Sequence, residues 1–405
     1  MILYSSLTRF MDEKLRILST VSMYHALNDG TVAAIPILFP IFRIIFNLSY
    51  TQIGIITGGS LLIHIIFQLM IGRVSDGKNS RTMLSFGILL ISISMLLFTQ
   101  TNGFYSLILI MFLLRIAESF FHPIGVGWIS RIFKKHRLDW AIGLQSAMAD
   151  VGAFIAISTT LYISEITNWK YPLYIWSIAG AIILLLGIYI TRNIRDEYLN
   201  VIKISKKQTI REALNESATF LKRIKLIIPA FIISGSSWGI IITYLPLYLT
   251  EKTDLSLTII GLIVSIWIGI GSISSLFYGR ISCRFSRNNV VFLSYLTIGL
   301  TSILIIYFTD ISLIILIIVL MGITVFITFP AIITYISEIT HESIEGKTFA
   351  TIFTLQTVGG TVFLFFGGLF SDVFGIWIPF ILLGLSSLIF SIILLMFRKK
   401  SLIIN

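Results

Sequence analysis

The feature that most constrains this chain is a succession of apolar stretches separated by short polar breaks. Twelve such stretches occur, at 17–45, 52–73, 82–100, 104–130, 138–164, 169–191, 224–250, 256–279, 289–308, 311–337, 346–371 and 374–397. About 20 residues at 1.5 Å per residue cross a ~30 Å hydrocarbon core. Helices are the structures that satisfy their own backbone groups in lipid within one segment. The first stretch lacks a small-residue cleavage pattern and is too long for the apolar region of a secretory signal, so it is expected to remain as a span. The expected class is an all-α protein of the cell membrane with twelve transmembrane helices. Composition agrees: 56% of the 405 residues are hydrophobic and 12% are charged, where soluble domains carry about 25% charge. This excludes an ordinary soluble enzyme and equally a disordered chain. The lone Cys283 excludes a disulfide framework and any multi-cysteine metal centre.

Loop charges set the orientation. Of the 30 Lys and Arg, all but Arg43, Arg115, Lys170 and Lys252 fall in the N-terminal segment, the C-terminal segment and alternate loops. Basic residues collect on the cytoplasmic side, so both termini are expected there. The net charge of +11 is thereby a topology signal and a contact for membrane lipid, with no need of nucleic acid as a partner.

Residues 192–223 are polar and central, beginning Arg192-Asn193-Ile194-Arg195 and ending Leu221-Lys222-Arg223. The domain reading is an N-terminal six-helix bundle over 1–191, a cytoplasmic linker over 192–223 with one or two short amphipathic helices, and a C-terminal six-helix bundle over 224–405. The halves match each other at a fixed offset of 207 residues. Gly72-Arg73-Val74-Ser75 returns as Gly279-Arg280-Ile281-Ser282, and Pro123 as Pro330. Leu48-Ser49 pairs with Leu255-Ser256, Ile53-Gly54 with Ile260-Gly261, Ile129-Ser130 with Ile336-Ser337, and Val151-Gly152 with Val358-Gly359. Six spans per repeat give both halves the same orientation, about an axis along the membrane normal, as in two-bundle transporters.

On these segments the whole chain resembles the major facilitator superfamily. That family's motif between the second and third helices is represented by Gly72, Arg73, Asp76 and Arg81, although Gly77, Asn79 and Ser80 depart from it. The family's fourth-helix arginine is represented by Arg115, while the glycine–proline signature of drug antiporters is missing from the fifth helix. Within the superfamily the chain is similar to fosmidomycin-resistance-type transporters, through His25-Ala26-Leu27-Asn28-Asp29, Leu48-Ser49-Tyr50-Thr51-Gln52-Ile53-Gly54, Phe121-His122-Pro123 and Ala141-Ile142-Gly143-Leu144-Gln145. The resemblance implies a cytoplasmic gate. There Gly72 would let the second and eleventh helices approach closely, Asp76 would cap a helix N-terminus, and Arg73, Arg81 or Arg131 would pair with it.

Ionisable side chains within spans each cost roughly 2.5–3.5 kcal/mol at a helix centre on insertion scales, so they mark function by default. Counting from the span ends places Asp29, His64, Arg115 and Asp150 near mid-depth, Glu118 slightly deeper, and His25 level with His122 nearer the cytoplasm. His25/Asp29 and Glu118/His122 are four apart and Arg115/Glu118 three apart, so each pair shares a helix face. Together with Asn28 they are the expected proton-coupling and substrate residues. The bland alternative for Arg115 and Glu118 is mutual neutralisation that holds the bundle together. The C-terminal half offers a neutral wall, for which Trp238, Tyr244, Tyr335 and Gln356 are the candidates; a lone Trp in a helix is more often packing.

No phosphate-binding loop, zinc-protease helix or nucleophile elbow occurs, so ATP drive, a cofactor and an enzymatic role are not expected. The expected function is secondary active transport by alternating access. H⁺ is the expected driving ion, because His and desolvated carboxylates titrate near neutral pH, and the resemblance implies export of a drug-like or anionic small molecule by a monomer. The alternatives are proton-driven uptake of an organic solute, export of a divalent metal held by His25, Asp29, Glu118 and His122, and a non-transporting receptor or enzyme. Arg115 beside the ligand set weighs against metal.

Overall fold

The computed structural model describes residues 2–75, 78–134, 136–199, 218–339 and 345–397. Helices α1 (Ile2–Ala34) and α2 (Phe39–Phe46) are joined by a 3₁₀ turn over Pro36–Leu38. They are followed by α3 (Tyr50–Val74), α4 (Ser80–Phe98) and α5 (Phe104–Glu118). A π-helical turn over His122–Val126 links α5 to α6 (Gly127–Ile132), and α7 (His136–Ile166) and α8 (Lys170–Thr191) come next. Of the expected linker, the described parts are α9 (Asp196–Leu199) and α10 (218–223); residues 200–217 lie outside the described residues. The remaining helices are α11 (Ile228–Lys252), α12 (Leu257–Leu276), α13 (Tyr278–Phe285), α14 (Arg287–Leu304), α15 (Ile311–Ile339), α16 (Glu345–Phe374) and α17 (Ile378–Phe397).

Among the described residues, 11 helical stretches are long and apolar enough to cross a membrane. The expected span at 289–308 forms α14, whose 18 residues reach about 27 Å at 1.5 Å each. Local chemistry fixes several helix starts. The Asn79 side chain accepts from the Thr82 N–H at 3.1 Å at the head of α4, and Ser256 accepts from the Ile259 N–H at 3.4 Å at the head of α12. Each satisfies one of the N–H groups a helix leaves orphaned at its first turn.

The chain forms two compact units: Met1–Phe46 with Ile63–Ser205, and Asn47–Leu62 with Lys206–Asn405. In the first, α1 packs most extensively on α7, and α4 on α8. In the second, the repeat-related pairs do the same: α11 on α16, and α14 on α17. The repeat glycines sit at these crossings. A Cβ on Gly152 of α7 would overlap the Ala26 carbonyl oxygen of α1, and one on Gly359 of α16 would overlap the Ile232 carbonyl oxygen of α11. In lipid, where apolar surface gives no net drive to association, such backbone-to-backbone approach supplies the packing contacts.

The first 16 residues of α3 and its approach, Asn47–Leu62, group with the second unit. Asp372 explains much of this: its carboxylate accepts from the Tyr50 and Thr51 N–H groups, both at 2.8 Å, neutralising the positive end of α3. The Tyr50 hydroxyl donates to Glu251. Gly54 lies with its Cβ position 2.6 Å from the Leu364 carbonyl oxygen, and Gly58 2.8 Å from that of Thr361.

Candidate functional site

In the first unit, His25 and Asp29 lie on α1, one turn apart. The His25 ring is 4% exposed and held on two sides. Its Nδ1 is 3.0 Å from the Gln145 carbonyl oxygen of α7, and its face stacks on Phe121 with centroids 4.1 Å apart. A carbonyl oxygen can only accept, so Nδ1 carries a hydrogen and donates it there. That Nε2 faces Asp29 Oδ2 at 3.6 Å and has no hydrogen-bond partner among the described residues. The other Asp29 oxygen accepts from Asn28 Nδ2 at 2.9 Å.

The fourth expected span contributes from its break between α5 and α6. A π turn closes one residue wider than an α turn, and such turns accompany functional sites. Pro123 lacks the N–H that a regular helix would need there. The turn begins at His122, whose ring meets His25 edge-on at 5.5 Å between centroids. His64 of α3 is the next ring, 6.5 Å from His122, with Nδ1 3.4 Å from the Arg115 carbonyl oxygen. One turn before the π segment, Arg115 Nη1 donates to Glu118 Oε2 at 2.9 Å. Both are buried, the Glu118 side chain completely, and Glu118 Oε1 has no hydrogen-bond partner among the described residues. Of the seven residues expected from depth counting, six are thus brought together, His25 and Asp29 from α1, His64 from α3, and Arg115, Glu118 and His122 from the fourth span, with Asn28 beside Asp29. Asp150 on α7 is half-buried.

The C-terminal candidates are placed differently from expectation. Tyr244 is fully buried, and its hydroxyl donates to the Leu364 carbonyl oxygen at 2.6 Å. Trp238 packs against Trp267 at 5.1 Å and Phe326 at 5.5 Å, the packing role that a lone helical Trp usually has. Gln356 is half-buried, with Nε2 3.4 Å from Ser234 Oγ. The Tyr335 side chain lies outside the described residues.

The residues of the expected cytoplasmic gate are placed as follows. Asp76 and Gly77 lie outside the described residues. Within the first unit the Cβ position of Gly72 is 3.6 Å from Pro123. The intimate contacts of α3 with α16 belong to Gly54 and Gly58 near its other end. Arg73 is exposed. Arg81 donates to the Thr191 carbonyl oxygen at 2.9 Å, a favourable place for a cation at the C-terminus of α8. Arg131 donates to Ser80 Oγ at 2.6 Å. The Asp372 cap on α3 escaped sequence reasoning. Its only signal was an acid near the end of an apolar span, and its partner N–H groups are more than 300 positions away.

Comparison with known proteins accords with this architecture. The family model of the Major Facilitator Superfamily matches residues 21–271 and 227–403, so the chain belongs to that superfamily. It is a multi-pass integral protein of the cell membrane, and its family and fold are those of a secondary transporter rather than an enzyme. An uncharacterized MFS-type transporter, YfnC of Bacillus subtilis (strain 168), is 28% identical over 109 residues, a match that spans 27% of each chain. Among solved structures, a bacterial homologue of the human lysosomal transporter Spinster superposes with a TM-score of 0.74 at 16% identity, covering 95% of both chains. A POT family transporter in complex with 5-aminolevulinic acid gives 0.78 at 14% identity, covering 95% of this chain and 96% of that one. The nucleoside transporter NupG gives 0.77 at 12% identity, covering 95% and 99%. At these identities the likeness is one of fold.

Proposed function

We propose that the protein is a proton-driven exporter of a small drug-like or anionic compound, acting as a monomer by alternating access, with Arg115 as the anion anchor. The observation that carries this reading is the buried Arg115–Glu118 pair. An arginine stays charged at any physiological pH, and its planar fork suits a carboxylate or phosphonate in a two-point contact. If an anionic substrate takes the guanidinium, Glu118 is left as a buried, unpaired carboxylate, and binding a proton relieves that cost. Substrate and proton then use Arg115 and Glu118 in turn, which couples the two binding events. Because the substrate interacts differently with the two access states, it shifts their populations. Export follows from the resemblance of the His25–Asp29, Leu48–Gly54 and Phe121–Pro123 segments to fosmidomycin-resistance-type transporters.

The test uses the full chain. A thermal-shift screen of anionic amphiphiles identifies a ligand, and its flux is followed in proteoliposomes under a pH gradient of either sign. Flux driven by the gradient in the wild type, with loss of roughly tenfold or more in Arg115→Lys, supports the anchor, since the lysine keeps the charge and loses the fork. A fully active Lys variant reduces Arg115 to a neutraliser of Glu118.

A further inference from the structure

We propose that His25, Asp29 and His122 form a three-ligand site for a divalent transition-metal ion, with Zn²⁺ the best-matched class. The inference goes beyond the anion reading and shares no atom with the Arg115–Glu118 pair. It stands whatever organic solute the protein carries.

The donor set is two imidazole nitrogens and a carboxylate oxygen, one ligand atom from each residue, all within 4.8 Å of one another. Imidazole selects Zn²⁺ and its neighbours over Mg²⁺ and Ca²⁺, which take oxygen ligands. Tetrahedral zinc with ligand distances near 2.0–2.1 Å has neighbouring donors about 3.4 Å apart. His25 Nε2 and Asp29 Oδ2, at 3.6 Å, already stand at that separation. The His122 nitrogen, within 4.8 Å of the other two donors, closes the third vertex by a movement of roughly 1.4 Å.

The groups behind the ligands are those a metal site requires. A zinc-bound histidine donates its other ring N–H to a carbonyl or carboxylate, which fixes tautomer and orientation; His25 Nδ1 is so placed against Gln145 O at 3.0 Å. The second oxygen of Asp29 is held by Asn28 at 2.9 Å. The stack on Phe121 stops the His25 ring from turning away.

The buried environment of His25 Nε2 also suits a cation. His25 is 4% exposed, and its Nε2 has no hydrogen-bond partner among the described residues. His25 Nε2 and an Asp29 carboxylate oxygen face each other at 3.6 Å, a pair that a proton on Nε2 or a metal ion can bridge. A metal ion between them satisfies both. The Arg115 charge weighed against metal in the sequence; its contact with Glu118 at 2.9 Å neutralises it locally. Three protein ligands leave a fourth position for water or an exchangeable group, the pattern of sites that turn over their occupant rather than lock it. Asp29, with 32% of its side chain exposed, gives the ion a way in.

The test titrates Co²⁺, then Zn²⁺, into chelator-stripped, tag-free full-length protein in detergent, in a Cys283→Ser background that removes the exposed thiol. Visible absorption of tetrahedral Co²⁺ and calorimetry of Zn²⁺ are read. One ion per chain is expected, with affinity reduced about tenfold or more in Asp29→Asn and in His122→Asn, and unchanged in His64→Asn. Size exclusion and thermal melting confirm that each variant is folded. Absence of a stoichiometric Co²⁺ band in the folded wild type overturns the proposal. So does undiminished Zn²⁺ binding in the folded Asp29→Asn/His122→Asn variant. Neither outcome bears on anion flux through Arg115, which is measured separately.

Discussion

The two repeats keep the same backbone contacts and fill them with opposite chemistry. At the 207-residue offset, His25, Asp29, His64, Arg115, Glu118 and His122 become Ile232, Ser236, Gly271, Gly322, Val325 and Phe329. The exchange is also one of size. Gly271 leaves room that its Cβ would deny to Phe326, and the Cβ position of Gly322 is 2.6 Å from the Trp267 carbonyl oxygen. Into that room close Trp238, Trp267 and Phe326. At the matching positions the first repeat has Thr31, Ser60 and Ser119, all fully buried, beside its charged groups. One half therefore filled its middle with imidazole, carboxylate and guanidinium groups, and the other with aromatic rings. Duplication preserved the helix crossings because backbone contact through Gly152 and Gly359 tolerates no side chain. Side chains away from those crossings were free to diverge.

That contrast is broken most sharply at the two centres. Arg115→Leu leaves Glu118 buried and unpaired and should cost about 3–5 kcal/mol. Trp267→Ala removes a fully buried ring and should cost a similar 3–5 kcal/mol through its cavity. The centres separate on rescue. Adding Glu118→Leu to Arg115→Leu should restore most of the thermal stability in detergent, because the uncompensated charge is gone. Failure to restore it would mean that the pair holds the unit together by shape rather than charge.

The shared crossings should respond alike. Gly152→Val and Gly359→Val each push a side chain into a carbonyl of the facing helix and should each destabilise by about 1–3 kcal/mol. Melting temperatures that fall for one and not the other would show that the repeats have lost their common packing.

Function should be asymmetric where packing is not. Asp29→Asn should lower ion-driven flux in proteoliposomes by about tenfold or more, equivalent to roughly 1.4 kcal/mol, while Ser236→Ala at the matched position should leave flux within twofold. Equal losses at both positions would place coupling in both halves. The smallest effect is expected for Tyr244→Phe, which deletes one hydrogen bond to the Leu364 carbonyl oxygen and should cost about 1 kcal/mol without changing flux. A transport defect there would return Tyr244 to the substrate wall from which its burial removes it.

The sequence by itself determined the fold class, and it supplied the offset matches and the ionisable residues within the N-terminal spans. Each rests on a signal that survives without tertiary information. Apolar length is dictated by bilayer thickness, the offset matches follow from duplication, and an ionisable residue within a span is too costly to be incidental. Helical spacing also gave the Arg115–Glu118 and His25–Asp29 pairs, because residues three and four apart on one helix must be neighbours. Tertiary structure alone decided how separate helices meet. Placing His122 against His25 depends on a π turn at Pro123 and on the crossing of α1 with its neighbours, and no local pattern encodes either. The same holds for Tyr244, whose hydroxyl turned to a carbonyl 120 residues away, and for Gly54 and Gly58, whose Cβ positions face α16 carbonyl oxygens. Asp372 reached the first turn of α3 across 322 residues. A contact between segments so far apart is fixed by the packing of whole helices, and their faces are known only when the chain has folded.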